Sequence, residues 1–177
     1  MMSTSFRAIA SVTVSIAVVS GVALAAQNRS TLKVPNGLAF SEFKGYENWQ
    51  PVAVSQTETS LKVIAANSVM MAAYRQGVPT NHKLFPNGSK VVKIEWLAKK
   101  SAESPYFVMV PDTLKSLSFI EKDTKRFPDT KGWAYAQFSN DPATDTLMPN
   151  GNDAKCGFAC HTKVASMDYI FTAYPKR

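Results

Sequence analysis

The chain has 177 residues and a formal net charge of +7. This length fits a single domain that can bury a sizeable core. The sequence has no internal repeat and no low-complexity tract, and its lysines are spread out rather than clustered, which argues against a nucleic-acid-binding protein. The excess positive charge suits an acidic protein partner, such as a small redox protein, or an anionic membrane surface.

The first 25 residues have the parts of a secretory signal peptide. Arg7 supplies the positive charge, residues 8–22 are apolar or small, and the Ala-Leu-Ala tripeptide that ends at Ala25 matches the cleavage rule. The apolar run is shorter than the about 20 residues that span a bilayer, so a membrane anchor is the less favoured interpretation. We therefore expect residues 26–177 to form one exported domain, periplasmic or otherwise extracytoplasmic, with no membrane span after signal removal.

The first elements predicted within this domain are, in chain order, a helix at 40–46, strands at 49–54 and 61–65, a helix at 68–76 and a strand at 90–96. Gly45 is expected to end the first helix. Asn67 is a good N-cap for the second helix, and Gly77 suits the position just after its end.

The later predicted elements are strands at 106–110, 117–120 and 133–138, a loop at 148–153, a short helix around the cysteines and a final strand at 169–174. Pro111 is expected to stop the first of these strands. Strands joined by short connections, with a few short helices inserted, indicate an α+β fold built on a mainly antiparallel, curved sheet. An open sheet exposes an edge that a second copy would cover, so a homodimer is expected.

The segment from Cys156 to His161 holds both cysteines and one of the two histidines of the chain. Two thiols beside a histidine can attach a haem covalently, with thioether bonds to the cysteines and the imidazole on the iron. The usual spacing is C-x-x-C-H, and here it is C-x-x-x-C-H, one residue longer. Cys156 and Cys160 would share one face of a helix.

Two other interpretations of this segment remain open. A Cys156–Cys160 disulfide would fit an exported protein, although so short a loop stabilises little. A zinc site would need a further ligand at suitable spacing. His82 is the other histidine, and it lies in a turn-like segment where we expect it to face solvent.

Five segments of the chain, the cysteine segment among them, carry a family resemblance. They are, in order, residues 85–93, 126–128, 132–135, 156–161 and 168–172. Together these segments resemble the cytochrome P-460 family, and the resemblance extends over residues 40–174. It implies an exported, mainly β-sheet, dimeric protein that packs one covalent haem c against the sheet of each chain.

Members of that family oxidise hydroxylamine, or handle nitric oxide, at a five-coordinate iron. The resemblance implies that Cys156 and Cys160 form the thioethers and that His161 is the iron ligand. We expect an enzyme that oxidises hydroxylamine and passes the electrons to a soluble acceptor cytochrome. A lysine bonded to the porphyrin edge distinguishes the family, and Lys93 is the matching position. The related cytochromes c′-beta lack this bond and bind gases, so a nitric-oxide-binding or electron-transfer protein is the alternative function.

Strand alternation separates Lys93 from its neighbour Lys90, because side chains three residues apart point to opposite faces of a strand. One of these two faces alone can contact the haem, and we favour Lys93. Asp153, shortly before the cysteines, is the candidate general base for proton removal from the substrate, with helix capping as the alternative role. Met148 is the methionine best placed to be a second iron ligand, which would indicate simple electron transfer.

Overall fold

The computed structural model describes residues 26–35, 37–151 and 153–175. The predicted signal peptide, residues 1–25, lies outside the described residues. Within the described ranges, no helix is both long enough and apolar enough to cross a membrane.

The described chain forms one open antiparallel sheet of six strands, in which every strand pairs with its neighbour in sequence. The strands are β1 (Gln50–Gln56), β2 (Ser60–Ala66), β3 (Lys90–Lys100), β4 (Met109–Lys122), β5 (Trp133–Asp141) and β6 (Thr146–Asn150). The helices are α1 (Ser68–Arg75) and α2 (Phe158–His161), together with short 3₁₀ turns at Arg29–Thr31, Phe40–Phe43, Tyr46–Asn48, Pro128–Thr130 and Thr162–Met167. The predicted α+β class is therefore confirmed.

Helix α1 has the predicted ends. The Asn67 side chain accepts a hydrogen bond from the Met70 amide at 3.1 Å, and Gly77 follows the helix with a φ of +88°. The segment predicted as one helix at 40–46 is instead two 3₁₀ turns separated by Gly45, whose φ is +82°. A residue in the left-handed region interrupts a helix. The predicted stop at Gly45 is therefore correct, whereas the prediction of one continuous helix over 40–46 is wrong.

The expected break at Pro111 is wrong, because β4 is one strand of 14 residues that runs through it. Pro111 pairs with Ala98 next to a register shift, and β5 joins β4 only from Ser116 onward. Around Pro111, β4 therefore pairs with β3 alone, and its other side is an edge without a partner strand. A strand tolerates proline at such an edge, because no neighbouring strand needs the amide hydrogen that proline lacks. The loop predicted at 148–153 is also partly wrong, since β6 includes its first three residues.

The strand predicted at 169–174 is wrong. Asp168 and Tyr169 adopt left-handed φ values of 48° and 62°, and residues 170–175 have no regular structure. Ile170 is buried against the sheet, and the Tyr74 hydroxyl donates to the Thr172 carbonyl at 2.8 Å. The apolar pattern in this segment thus serves packing across a sheet face rather than pairing at a sheet edge.

The two faces of the sheet are covered differently. One face carries Val92, Phe119 and Phe138 and is packed by aromatic residues of the N-terminal segment, including Phe40 and Phe43. We call this the filled face. The opposite face, which we call the cavity face, is covered by α1, the segment around Phe85 and the C-terminal segment.

Candidate functional site

A cavity of about 580 Å³ lies on the cavity face of the sheet. This volume falls within the range of about 300–1,000 Å³ that is typical of cofactor and small-molecule sites. Its walls come from strands β1 to β6, the Tyr74 side of α1, the cysteine segment and the C-terminal segment. The residues with ionisable or metal-binding side chains that line it are Lys62, Lys93, Tyr135, Cys156, Cys160 and His161, together with Tyr74.

Sheet register places one row of side chains along the cavity floor. Ile64, Lys93, Ser118, Gln137 and Asn150 are paired directly across β2 to β6. All of them line the cavity. Residues paired across antiparallel strands share a face, so the pairing itself brings the β3 lysine to the cavity.

The cysteine segment is held against β5 by its backbone. The Tyr135 amide donates to the Ala154 carbonyl at 2.8 Å. A Cβ on Gly157 would lie 2.6 Å from the Tyr135 ring, a distance that real Cβ atoms do not show. The segment therefore requires glycine at this position to approach the ring so closely.

Both cysteines are free thiols, and both line the cavity. Cys160 lies in α2, whereas Cys156 lies in the turn before it, so the predicted shared helical face is wrong. The turn that holds Cys156 lies against β5, where the Cys156 thiol donates to the Tyr135 carbonyl at 3.6 Å. Burial raises the pKa of the Cys156 thiol.

His161 ends α2 and presents its ring to the cavity between two aromatic residues. Its ring centroid lies 4.7 Å from that of Tyr135 and 4.9 Å from that of Phe171. Its Nδ1 lies 2.6 Å from the Tyr169 carbonyl oxygen, which can only accept, so Nδ1 carries the hydrogen. Burial lowers the pKa of His161, which favours the neutral ring and leaves Nε2 with a free electron pair for a metal.

The structure separates the two lysines as strand alternation predicts. Lys93 lines the cavity, whereas the Lys90 ammonium donates to the Glu42 carbonyl at 2.7 Å and lies over the Phe43 ring on the filled face. Burial lowers the pKa of Lys93, and together with the charges of Lys62 and Lys115 it outweighs the carboxylate of Glu95, which acts to raise that pKa. A lysine with a depressed pKa is more often a free amine, the form that can act as a nucleophile.

Glu95 is a carboxylate beside the cavity that the sequence analysis missed. It lies within 3.9 Å of both Lys62 and Lys93, and 3.0 Å from Lys115. Burial raises the pKa of Glu95, but the hydrogen bonds from Lys115 and Ser60 and the charge of Lys62 outweigh it, so the net pKa lies below the ordinary value. Glu95 lies two residues after Lys93 on β3, so both side chains point to the same face of the sheet. That spacing could have identified Glu95 from the sequence.

A family comparison agrees with this geometry. The family model for cytochrome P460 matches residues 43–172, which is most of the chain. The chain belongs to the cytochrome P460 family. A search of curated proteins finds no match.

Membership of the cytochrome P460 family implies a haem cofactor. The donor set at the cavity fits that group, since two thiols can form thioethers and an imidazole with a free Nε2 can bind the iron.

Among the residues that the structure describes, no cluster of three or more His, Cys, Asp or Glu side chains could hold a metal ion by itself. His82 is exposed, as expected.

Two further candidates from the sequence are not brought to the cavity. Asp153 does not line it, and its carboxylate accepts a hydrogen bond from the Lys155 amide at 2.7 Å in the turn before α2, whereas the N-cap of α2 itself is Gly157, which makes no side-chain cap. Met148 lies on the edge strand β6, is 55% exposed and does not line the cavity either.

Proposed function

We propose that this member of the cytochrome P460 family is an exported c-type haem protein that oxidises hydroxylamine. The observation that carries the proposal is the convergence of Cys156, Cys160, His161 and Lys93 on one cavity. Cys156 and Cys160 would hold the haem through thioethers, and His161 would bind its iron through Nε2. The bound haem would supply an iron site for the nitrogen of the substrate and a store for its electrons.

Lys93 is the proposed residue bonded to the porphyrin edge. Its support is its position on the cavity floor and its depressed pKa, while Lys90 faces the other side of the sheet. The bond would shift the absorption of the protein to longer wavelength than that of an ordinary haem c. Lys93→Ala should restore the ordinary spectrum, and Lys90→Ala, the matched control, should leave the wild-type spectrum unchanged. The reverse result would mean that the wrong lysine was chosen.

Oxidation of hydroxylamine also releases protons, and two carboxylates are candidates to accept them. Asp153 is the one proposed from sequence, and Glu95 is the one that contacts cavity-lining lysines. Replacing the true general base should slow turnover by about 10²–10⁴-fold with an unchanged spectrum. Comparing Asp153→Asn with Glu95→Gln assigns the role, and wild-type rates in both would exclude both residues.

Nitric oxide binding is the second candidate function, and one observation favours it. Among the described residues that line the cavity, none is an aspartate or a glutamate. Gas binding needs an open iron site but no proton acceptor, so it fits such a lining directly. Tight nitric oxide binding without hydroxylamine turnover, with any artificial electron acceptor, would make this the better assignment.

The partners are part of the same proposal. Electrons would pass to a soluble acceptor cytochrome, and the net charge of +6 that is left once Arg7 is removed with the signal peptide would favour an acidic docking surface on it. A homodimer is proposed because β1 and β6 end the described sheet as edge strands. Export to the periplasm, or to another extracytoplasmic compartment, is proposed from residues 1–25.

The first experiment is the intact mass of the protein from a host that matures c-type cytochromes. The proposal predicts the polypeptide mass after signal removal plus one haem. A mass lower than the haem-free polypeptide by two hydrogens would instead indicate the Cys156–Cys160 disulfide and a haem-free exported module. Either cysteine changed to alanine should leave a single thioether, and changing both should abolish thioether attachment, so that any haem still bound covalently is held by Lys93.

A further inference from the structure

A buried ion pair joins the end of β4 to the C-terminal segment, and neither of its residues lines the cavity. The Lys122 ammonium at the end of β4 lies 2.8 Å from Asp168 Oδ1, and the two side chains are 3% and 2% exposed. A buried pair is costly to desolvate and is often no more stabilising than apolar residues of the same volume. Its presence at this position therefore calls for a role other than stability alone.

Asp168 is held from several directions at once. Besides Lys122, its Oδ1 accepts from the Trp133 indole at 3.2 Å, and its Oδ2 accepts from the Phe85 amide at 2.8 Å. The Lys122 ammonium also lies 4.7 Å from the centroid of the Trp133 ring. The carboxylate thus ties the C-terminal segment to β4, β5 and the segment before β3.

The fixed carboxylate belongs to a turn with an uncommon backbone. Asp168 and Tyr169 both have positive φ, 48° and 62°, and neither is glycine. Such conformations persist when the surrounding structure over-determines them, and they cluster at functional sites. The turn aims the Tyr169 carbonyl at His161 Nδ1, 2.6 Å away.

We propose that Lys122 and Asp168 are positioning residues for the haem ligand His161, acting through the Tyr169 carbonyl. This inference rests on the proposed haem function and deepens it. The ion pair holds the left-handed turn, and the turn holds the hydrogen bond that orients the imidazole. A partner on the far nitrogen of a ligating histidine fixes its tautomer and ring orientation and raises its basicity.

The consequence concerns the strength of the bond between iron and histidine. With the hydrogen of Nδ1 shared with a carbonyl oxygen, Nε2 is a stronger electron donor. Loss of the turn would weaken that donation without removing the ligand. Iron–histidine stretching in the ferrous protein, measured by resonance Raman, should then move to lower frequency, and the reduction potential should rise.

The test variant is Lys122→Met combined with Asp168→Asn in the haem-loaded, full-length protein. It removes both charges together, so neither is left buried without a partner. We expect the iron–histidine band to shift to lower frequency and broaden while the covalent haem content stays at the wild-type level. Should this variant fail to fold, Trp133→Phe removes one hydrogen bond to Asp168 and keeps an aromatic ring, and it should give a smaller shift in the same direction.

A matched control exists on the filled face. Lys90 and Glu121 form another largely buried pair, 3.5 Å apart, with side chains 21% and 9% exposed. Lys90→Met combined with Glu121→Gln removes two charges from the same sheet but has no contact with the Asp168 turn. We expect this control to change stability and to leave the iron–histidine band unchanged.

The outcomes separate this inference from the function on which it rests. A wild-type protein without covalent haem, or without an iron–histidine band, would contradict the proposed function itself. A normal wild-type band that stays unshifted in folded Lys122→Met, Asp168→Asn protein, or that stays unshifted in Trp133→Phe if the first variant does not fold, would overturn the positioning role alone. An equal shift in the Lys90 and Glu121 control would also overturn it.

Discussion

The two faces of the sheet use the same strands but reach opposite results. On the filled face, Phe119 is fully buried and contacts Phe40, Phe43 and Tyr46, with ring centroids 4.3 to 5.4 Å apart. On the cavity face, the row through Lys93 and Gln137 is polar and is left open. Because aromatic residues lie on one face of the sheet and polar residues on the other, the first face can stabilise the fold while the second can bind a ligand.

The coverings explain the difference. The filled face is sealed by one segment that brings three aromatic rings onto Phe119, whereas the cavity face is covered by separate pieces. Helix α1 and the C-terminal segment meet at Tyr74, whose hydroxyl donates to the Thr172 carbonyl and whose ring centroid lies 5.9 Å from that of Tyr174. Separate coverings leave a space between them, and that space is the cavity.

The largest expected effect is on the filled face. Phe119→Ala should destabilise the protein by about 3–5 kcal/mol, because it deletes a fully buried ring and leaves a cavity among its neighbours. Gln137→Ala, the control on the cavity face, should change the free energy of unfolding by less than about 0.5 kcal/mol. Denaturant unfolding of both variants measures this, and equal losses would break the comparison between the faces.

Gly157→Ala tests how tightly the cysteine segment must approach β5. The added methyl would meet the Tyr135 ring at 2.6 Å, so we expect a loss of about 1–3 kcal/mol from overpacking, with reduced covalent haem content. Gly88→Ala is the control, since Gly88 has a φ of +84° but nothing within 4 Å. It should lose about 1–2 kcal/mol through backbone strain while its haem content stays normal. A normal haem content in Gly157→Ala would contradict the need for this close contact.

Tyr74→Phe tests the contact between α1 and the C-terminal segment, two of the separate elements that cover the cavity. It removes the hydrogen bond to the Thr172 carbonyl, and we expect a loss of about 0.5–1.5 kcal/mol. Amide hydrogen exchange should accelerate around Thr172 more than in β4. Tyr106→Phe, at a site 77% exposed on the β3–β4 connection, should change neither quantity. Uniform acceleration across the sheet would indicate that the C-terminal segment is no weaker than the rest.

The smallest effect is a pair of opposite pH dependences. Glu95 on the cavity face has a pKa below its ordinary value of 4.5, so its contribution to stability is present above that pH and is lost as pH falls through the lowered pKa. Glu121 on the filled face has a pKa raised by burial, so stability from this group is greatest below pH 4.5 and declines as pH rises through the raised pKa. Unfolding free energies measured against pH for Glu95→Gln and Glu121→Gln should differ from wild type with opposite slopes, and slopes of the same sign would contradict the assignment.

The sequence alone was sufficient for the features that depend on near neighbours. The cap at Asn67 and the stop at Gly77 define α1, because capping and left-handed backbone are set within a few residues. Alternation along one strand was enough to place Lys93 and Lys90 on opposite faces. The cysteine and histidine segment indicated haem chemistry, and the order of short segments indicated the family that the comparison confirms.

Tertiary structure alone decided the features that depend on distant partners. Pro111 lies inside β4 because β5 pairs with β4 only from Ser116 onward, and Ile170 packs against the sheet instead of extending it. Glu95 gained its significance from Lys62, on the neighbouring strand, and Asp168 from Lys122 and Trp133. Each of these contacts joins residues far apart in sequence, and their free energies depend on burial and geometry that exist only once the chain has folded.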